Sequence, residues 1–414
     1  MKRGIVKLEN PERFSGTHTI SEEKLDKAIN NALAKLSHEA ENFKKALPAR
    51  FLVYDENNKP HYDYKSKGGG WTHGMFTGCY LLAYDLTKDE KYLDVARGHM
   101  KVYEEVAADR MLQLMDHDVG FKFSPSSVAY YKLTGDMRAK RDSLEAAKHL
   151  MDIGFAHEGG YILRIFGEMG NPKCNRTMVD TLFNIPLLYW AWEQTGNRGY
   201  FNAANSQVAI TDECLVREDG STNHHYQFES YTFKPLHGVT FQGASDDSCW
   251  SRGHSWVVYG LPIAYGYNQN AGDSVGHLQY DRLKSLHRDV VYFMLNHLPE
   301  DYVPYWDYDF VDGDQPRDTS AGAIAVCGLL EMCNYLDDSA PEKVIYKNAA
   351  SKMLEAIIDK YTSDDITDYA GLLGGVCVGN PEKGMEAETC ASYGDYFYLE
   401  ALIRFKNSEW KKHW

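Results

Sequence analysis

A short turn pattern recurs along the 414-residue chain and sets what it can fold into. It reads Leu86-Thr87-Lys88-Asp89, Leu133-Thr134-Gly135-Asp136 and Gln194-Thr195-Gly196-Asn197, with weaker echoes at Ala271-Gly272-Asp273 and Leu336-Asp337-Asp338. Each copy follows one helical apolar run and precedes another. Glycine tolerates positive φ and so ends a helix, while Asp, Asn and Ser accept the free N–H groups that open the next. Such turns join antiparallel helices. Their spacing, roughly 45 to 75 residues, is too irregular for a strict solenoid, but it counts out helix pairs.

The helices fall into two kinds. One set is amphipathic: Glu22 to Lys45, Asp89 to Ala107, Asp136 to Asp152, Gly199 to Cys214, Val275 to Leu298 and Glu342 to Tyr361. Leu283, Leu286, Val290 and Met294 show the stripe. The other set is apolar nearly all round, as helices buried on both sides are. It covers Trp71 to Asp85, Phe121 to Leu133, Thr177 to Thr195, Ser251 to Asn268, Asp318 to Leu336 and Ser392 to Phe405. Six inner helices inside six outer ones predict an all-α (α/α)6 barrel. One such domain accounts for residues 1–414, with a short N-terminal extension over about residues 1–20.

The connections place function at one end. Turns from inner to outer helix are short. Connections from outer to inner helix are mostly long: Leu47 to Gly70, Gly154 to Arg176, Arg217 to Trp250, Pro299 to Arg317 and Ser363 to Ala391. Long loops in a compact fold are usually functional. All lead into N-termini of inner helices, so they gather at one mouth.

Residues at that mouth share a chemistry. They are Trp71, Thr72 and His73; His117 and Asp118; Arg176 and Asp180; Gln242, Asp246, Asp247, Trp250, Arg252, His254 and Trp256; Arg317 and Asp318; Tyr393 and Asp395. Rings to stack on, carboxyl groups for proton transfer and donors for hydroxyls suit a carbohydrate. Plainer readings stand beside this one. Asp118 and Asp180 could cap helices, although a carboxylate between Val179 and Leu182 is costly without a partner or a task. Trp250 and Trp256 could be core, Arg252 could pair with Asp246 or Asp247, and Asp395 reads as a structural cap. His224-His225 reads as an exposed, inert pair in a loop.

Composition narrows the partners. Lys plus Arg number 44 against 59 Asp plus Glu, a net charge of −15, which argues against a nucleic-acid partner. No apolar run is long enough for a membrane span. The 8 Cys are scattered without a CxxC and read as buried thiols. No metal-binding motif, phosphate loop or nucleophile elbow is present, so neither metal nor cofactor is expected. Met1-Lys2-Arg3-Gly4 is followed by no apolar stretch, which favours a cytoplasmic home, or a periplasmic one if a leader was removed.

The string Gln242-Gly243-Ala244-Ser245-Asp246-Asp247-Ser248-Cys249-Trp250-Ser251-Arg252-Gly253-His254-Ser255-Trp256 resembles the signature of bacterial unsaturated glucuronyl hydrolases, glycoside hydrolase family 88. So do His117-Asp118-Val119-Gly120-Phe121, Met178-Val179-Asp180, Pro304-Tyr305-Trp306-Asp307 and Tyr393-Gly394-Asp395-Tyr396-Phe397. The likeness runs from about Trp71 to Phe405. It implies the same barrel and an uncommon reaction. Lyases leave a C4=C5 unsaturated uronate at the non-reducing end of an oligosaccharide, and this family hydrates that vinyl ether. Protonation at C4 puts positive charge on C5 and the ring oxygen. Water adds at C5, the hemiketal opens, and the uronate leaves.

By the resemblance Asp180 is the general acid and base, and Asp118 is the second aspartate, binding sugar hydroxyls and tuning the first. The acid has to be un-ionised near neutral pH, which burial and a nearby like charge favour. His224, Gln242, Trp250, Arg252 and Trp256 match sugar-contacting positions. Arg252 and Gln242 are suited to the carboxylate, and Trp71, Trp250 and Trp256 to stacking. Lys65, Lys67, Arg176 and Arg252 would offset the overall negative charge. The substrate is an unsaturated oligosaccharide, of glycosaminoglycan or similar origin, and the protein a monomer or homodimer. Departures from the family pattern are Phe241 before Gln242, Phe166 where a sugar-stacking Trp is usual, and Glu388-Thr389-Cys390-Ala391-Ser392 without a Lys. Rival readings are an unsaturated rhamnogalacturonyl hydrolase, an ordinary inverting glycosidase, and a non-catalytic sugar-binding barrel.

Overall fold

A computed structural model describes residues 5–44, 46–47, 52–54, 60–62, 70–167, 175–272, 280–367 and 371–414. Its helices are α1 (Glu22–Phe43), α2 (His73–Thr87), α3 (Glu90–Ala108), α4 (Arg110–Gln113), α5 (Val119–Phe123), α6 (Ala129–Thr134) and α7 (Met137–His149). They continue with α8 (Pro186–Thr195), α9 (Arg198–Ile210), α10 (Ser251–Ala271), α11 (Tyr280–Asn296), α12 (Thr319–Cys333), α13 (Pro341–Tyr361) and α14 (Ser392–Lys406). Lys65, Lys67 and the expected start of an outer helix at Val275 lie outside the described residues.

The recurring turn has one mechanism. Thr87 Oγ donates to the Ala83 carbonyl at 2.7 Å and accepts the Asp89 N–H at 3.2 Å. Thr134 and Thr195 repeat both bonds, to the carbonyls of Tyr130 and Ala191 and from the N–H groups of Asp136 and Asn197. Asp89, Asp136 and Asn197 then cap α3, α7 and α9 through their side chains. The residue between must turn left-handed. Gly135 and Gly196 do so at φ of 76° and 71°, and Lys88 at 58° without glycine's freedom.

Helices α2, α5–α6, α8, α10, α12 and α14 form the inner ring. Helix α2 packs on α5 and α14, α10 on α12, α12 on α14, and the turn before α8 on α10. The outer helices α3, α7, α9, α11 and α13 each pack on the inner helix before them, and α1 packs on α14. The first helix thus completes the last pair. Two inner members depart from the expected continuous helices. The segment from Phe121 to Leu133 is split by a wide turn, Ser124–Val128, because Pro125 has no N–H and crowds the carbonyl four residues back. The segment from Thr177 begins as a strand and a tight 3-10 turn, Val179–Phe183; Pro186 then opens α8 in the first turn, where its missing N–H does no harm.

The long loops carry small antiparallel sheets that the sequence reading did not foresee. Strand β1 (Leu52–Tyr54) pairs with β2 (Pro60–Tyr62), and β3 (Phe155–Ala156) with β4 (Tyr161–Ile162). A three-stranded sheet joins β5 (Arg176–Met178), β6 (His225–Phe228) and β7 (Pro235–Val239) in the order β5-β6-β7. Met178 lies opposite His225 in this register, and the Val179 N–H reaches the His224 carbonyl at 2.9 Å. Residues far apart in the sequence therefore meet just before Asp180.

Aromatic rings fill the barrel interior below. Phe183 lies 5.1 Å from Trp256 and 4.4 Å from Trp414, which plugs the far end. The seven described cysteines are all buried and free of disulfides. No helix among the described residues is long and apolar enough to cross a membrane.

Candidate active site

A cavity of about 500 Å³ opens at the mouth. Trp71, Asp118, Asp180, Gln242, Trp250, Arg252 and Trp256 all line it, so the structure gathers these sequence-predicted residues at one place. His224 sits one layer back, its ring 4.5 Å from that of Trp250. Its neighbour His225 is on the wall instead. The pair is buried, not exposed, because β6 draws it under the mouth.

Asp118 and Asp180 meet because their backbones can touch. A Cβ at Gly120 would fall 2.2 Å from the Asn184 carbonyl oxygen, so only glycine lets the Asp180 turn approach this closely. Asn184 staples the junction, accepting the Phe121 N–H at 2.7 Å and donating to the Asp180 carbonyl at 3.2 Å. Asp118 precedes α5 but makes no side-chain cap to it, which removes the cap reading there.

His117, a mouth residue without an assigned role in the sequence reading, stands between the two carboxylates. Its Nε2 lies 3.0 Å from Asp180 Oδ1 and 3.3 Å from Asp118 Oδ1. Its Nδ1 lies 3.1 Å from the Arg164 carbonyl. A carbonyl can only accept, so Nδ1 carries a proton and Nε2 is the side that exchanges one with the carboxylates.

The charges follow from this geometry. Burial works against a cationic His117, but Asp118 and Asp180 outweigh it and raise the imidazole to about 10. Burial pushes Asp118 up to about 7; His117 opposes the rise, while Asp116 and Asp180 add to it. Burial would also raise Asp180, yet the charge and hydrogen bond of His117 hold it below the usual carboxylate range. The directions run opposite to the expectation of an un-ionised Asp180: His117 holds Asp180 down, while burial pushes Asp118 up. A single His between two carboxylates leaves one of them unpaired, and burial protonates that one.

The supporting residues are more committed than the sequence suggests. Arg252 pairs with Asp318 at 2.7 Å, not with Asp246 or Asp247, and donates to the carbonyls of Cys377 and Val378 at 2.6 and 2.5 Å. Gln242 gives an amide N–H to the Val378 carbonyl at 2.7 Å, which turns its oxygen free for a sugar hydroxyl. His224 Nδ1 accepts the N–H groups of Phe241 and Gln242 at 3.2 and 3.3 Å, so Nε2 bears its proton; burial takes its pKa down to about 3, and the ring is neutral. Trp256 packs on Phe121, Phe183 and Phe397 as the cavity floor.

Other mouth residues are structural. Asp395 accepts the Leu372 and Leu373 N–H groups and the Tyr62 hydroxyl, tying loops together rather than capping its own helix. His254 bonds the Val290 carbonyl behind the wall, and Arg317 pairs with Asp301. Phe166 is buried against His149 and Gly154, and Ile165 takes the wall beside it. Phe241 is 59% exposed at the rim. Asp116, Arg164, Val378, Lys383, Met385 and Glu386 complete the wall without any sequence signal beyond their place in the long loops. One ligand atom from each of His117, Asp118 and Asp180 lies within 4.8 Å of the others, the group among the described residues that could hold a metal ion, which the sequence reading did not expect.

Comparison with known proteins decides between the readings. The model of Glycosyl Hydrolase Family 88 matches residues 43–405. This chain belongs to glycoside hydrolase family 88. It is 36% identical over 412 residues to the unsaturated chondroitin disaccharide hydrolase of Streptococcus pneumoniae, covering 99% of this chain and 98% of that one. It is 35% identical over 340 residues to the unsaturated glucuronyl hydrolase of Bacillus sp. strain GL1, covering 81% and 86%. The crystal structure of unsaturated glucuronyl hydrolase from Streptococcus agalactiae superposes with a TM-score of 0.89 at 36% identity over 100% of both chains.

The family 88 chain is thus a hydrolase that removes unsaturated uronic acid from oligosaccharides, on the (α/α)6 barrel expected. The carboxylates agree. Inverting glycosidases keep theirs about 6.5–9.5 Å apart to admit a water. Here both share one nitrogen, which leaves no such room.

Proposed function

We propose that this family 88 enzyme hydrates the C4=C5 bond with the proton held between His117 Nε2 and Asp180 Oδ1. The observation that carries the reading is the imidazole of His117 fixed by the Arg164 carbonyl and set 3.0 Å from Asp180. The pair shares one proton, and the imidazole holds Asp180 below the usual carboxylate range. When the vinyl ether lies against Asp180, that proton passes through Oδ1 to C4, and His117 becomes neutral with Nδ1–H still on its carbonyl. The cation at C5 takes water, and Asp180 with His117 recovers the proton that water releases. No proton is gained or lost over the cycle. Asp118, un-ionised below about 7, donates to a sugar hydroxyl and avoids placing another negative charge beside the uronate.

The relatives' names support an unsaturated disaccharide of the chondroitin type as substrate. The test is loss of the ultraviolet absorbance of the conjugated enoate, with unsaturated disaccharides of chondroitin, hyaluronan and heparin offered side by side. The unsulfated chondroitin disaccharide is expected to lose it fastest. A flat trace with all of them rejects the reading; turnover of another disaccharide alone rejects only the chondroitin assignment.

A further inference from the structure

Residues 407–414 follow α14 and form neither helix nor strand. Backbone without a ladder keeps its place through side-chain contacts, and here several are made. The Trp410 indole N–H donates to Asp85 at 2.8 Å, and His413 lies 3.3 Å from the same carboxylate. Lys132 donates to the His413 carbonyl at 2.9 Å, and the Tyr267 hydroxyl to the Trp414 carbonyl at 3.2 Å. The Trp414 indole N–H reaches Glu400 at 3.2 Å. These bonds fix one ring, 2% exposed, inside the barrel.

That ring meets Phe183 edge-on at 4.4 Å and stacks on Phe397 at 5.8 Å. Phe183 ends the 3-10 turn Val179–Phe183 that carries Asp180. It also stacks at 6.0 Å on Phe121, three residues after Asp118, and lies 5.1 Å from Trp256 on the cavity floor. Phe183 therefore touches both carboxylate-bearing segments, and Trp414 touches Phe183. A 3-10 turn has poorer hydrogen-bond geometry than an α-helix, so packing sets where it lies. The Gly120–Asn184 contact limits the turn on one side, and Trp414 backs it on another. We propose that Trp414, which does not line the mouth cavity, is a positioning residue for the reaction: through Phe183 it holds Asp180 at its distance from His117 and Asp118. The assignment rests on the proposed role of Asp180. Moving a reacting group by about 1 Å can cost about 100-fold in rate, so a gap behind Phe183 is felt at the opposite end of the barrel.

The test compares Trp414→Ala, which opens that gap, with Trp414→Phe, which keeps an aromatic ring. Met353→Ala is the control, a buried deletion in α13, which packs on α12. All are assayed on the unsaturated disaccharide that the wild type consumes fastest, at a temperature where circular dichroism shows them folded. Trp414→Ala is expected to lose at least about tenfold in kcat, with KM within about threefold of wild type. The alkaline limb of kcat/KM should also move down by about half a pH unit. As the turn slackens, Asp118 gains water and loses the like charge of Asp180, while His117 and Lys122 still lower it and Asp116 still raises it. An unfolded fraction lowers kcat but leaves the limb in place. Trp414→Phe is expected to restore both, and Met353→Ala to change neither. Native kcat in Trp414→Ala, a loss with an unmoved limb, or an equal loss in Met353→Ala overturns the proposal. Should Trp414→Ala fail to fold, Trp414→Leu is read the same way. A wild-type enzyme inert on every unsaturated disaccharide, or normal turnover by Asp180→Asn, refutes the proposed function instead.

Discussion

At the mouth of the barrel two buried carboxylates share one imidazole; at the far end two others share a guanidinium and an ammonium. Arg404 there donates to Glu331 and Glu400 at 2.9 Å each and to the Tyr259 hydroxyl, Lys412 also meets Glu331, and the Trp414 indole N–H reaches Glu400 at 3.2 Å. Burial pushes Glu331 up, but Lys412 and Arg404 overcome it and hold it at about 2. Asp118, although less deeply buried, rises to about 7. The sign depends on how many cations stand beside the acid, not on burial alone. At the mouth Arg164 Nε, His224 Nε2, His225 Nε2 and Trp250 Nε1 lack a partner among the described residues. One end satisfies its charges internally and serves the fold. The other keeps capacity for a polar ligand.

The sharpest way to break this contrast is at the proton donor. Asp180→Asn is expected to lower kcat at least about 1,000-fold, because amide cannot shuttle the proton, while the thermal midpoint stays near wild type. Turnover within tenfold of wild type would move the acid elsewhere. At the other end Arg404→Leu leaves Glu400 buried with the Tyr259 hydroxyl and an indole N–H but no cation, and is expected to cost about 3–5 kcal/mol of stability. Chemical denaturation measures the loss, and KM of the folded fraction should hold; a shifted KM with native stability would reverse the roles of the two ends. The smallest effect is in pH. Raising pH through about 7 strips Asp118 of its proton and adds negative charge beside an anionic substrate. The expected kcat/KM therefore falls by up to about tenfold per pH unit above that point, and a profile level from neutrality to pH ~8.5 would contradict the assignment.

The helix pairs are readable in the sequence because their signals are local. Thr134, Gly135 and Asp136 build a complete turn out of adjacent residues, and Thr87 and Thr195 repeat it. The mouth is readable for a topological reason, since long loops collect where inner helices begin. The protonation of the site is not. It arises from the Arg164 carbonyl, the His117 ring and the Asp180 turn, brought together by a Gly120–Asn184 contact across separate elements. Arg164 is invisible for the same reason: an arginine in a long loop has no periodicity, and only the structure shows its carbonyl on the His117 ring. The buried His224-His225 pair was hidden because its burial comes from pairing of β6 with β5 and β7, which two strands elsewhere in the chain supply.

The packing of α1 against α14 has a consequence for synthesis. Helix α1 is made long before α14, so its contacts with α2 and α3 can form early while its contact with α14 waits. A nascent chain can pair the intervening helices as they appear, but the ring stays open at one seam until then. That seam exposes greasy helix faces until α14 appears, so chaperone dependence should concentrate there rather than around the catalytic mouth.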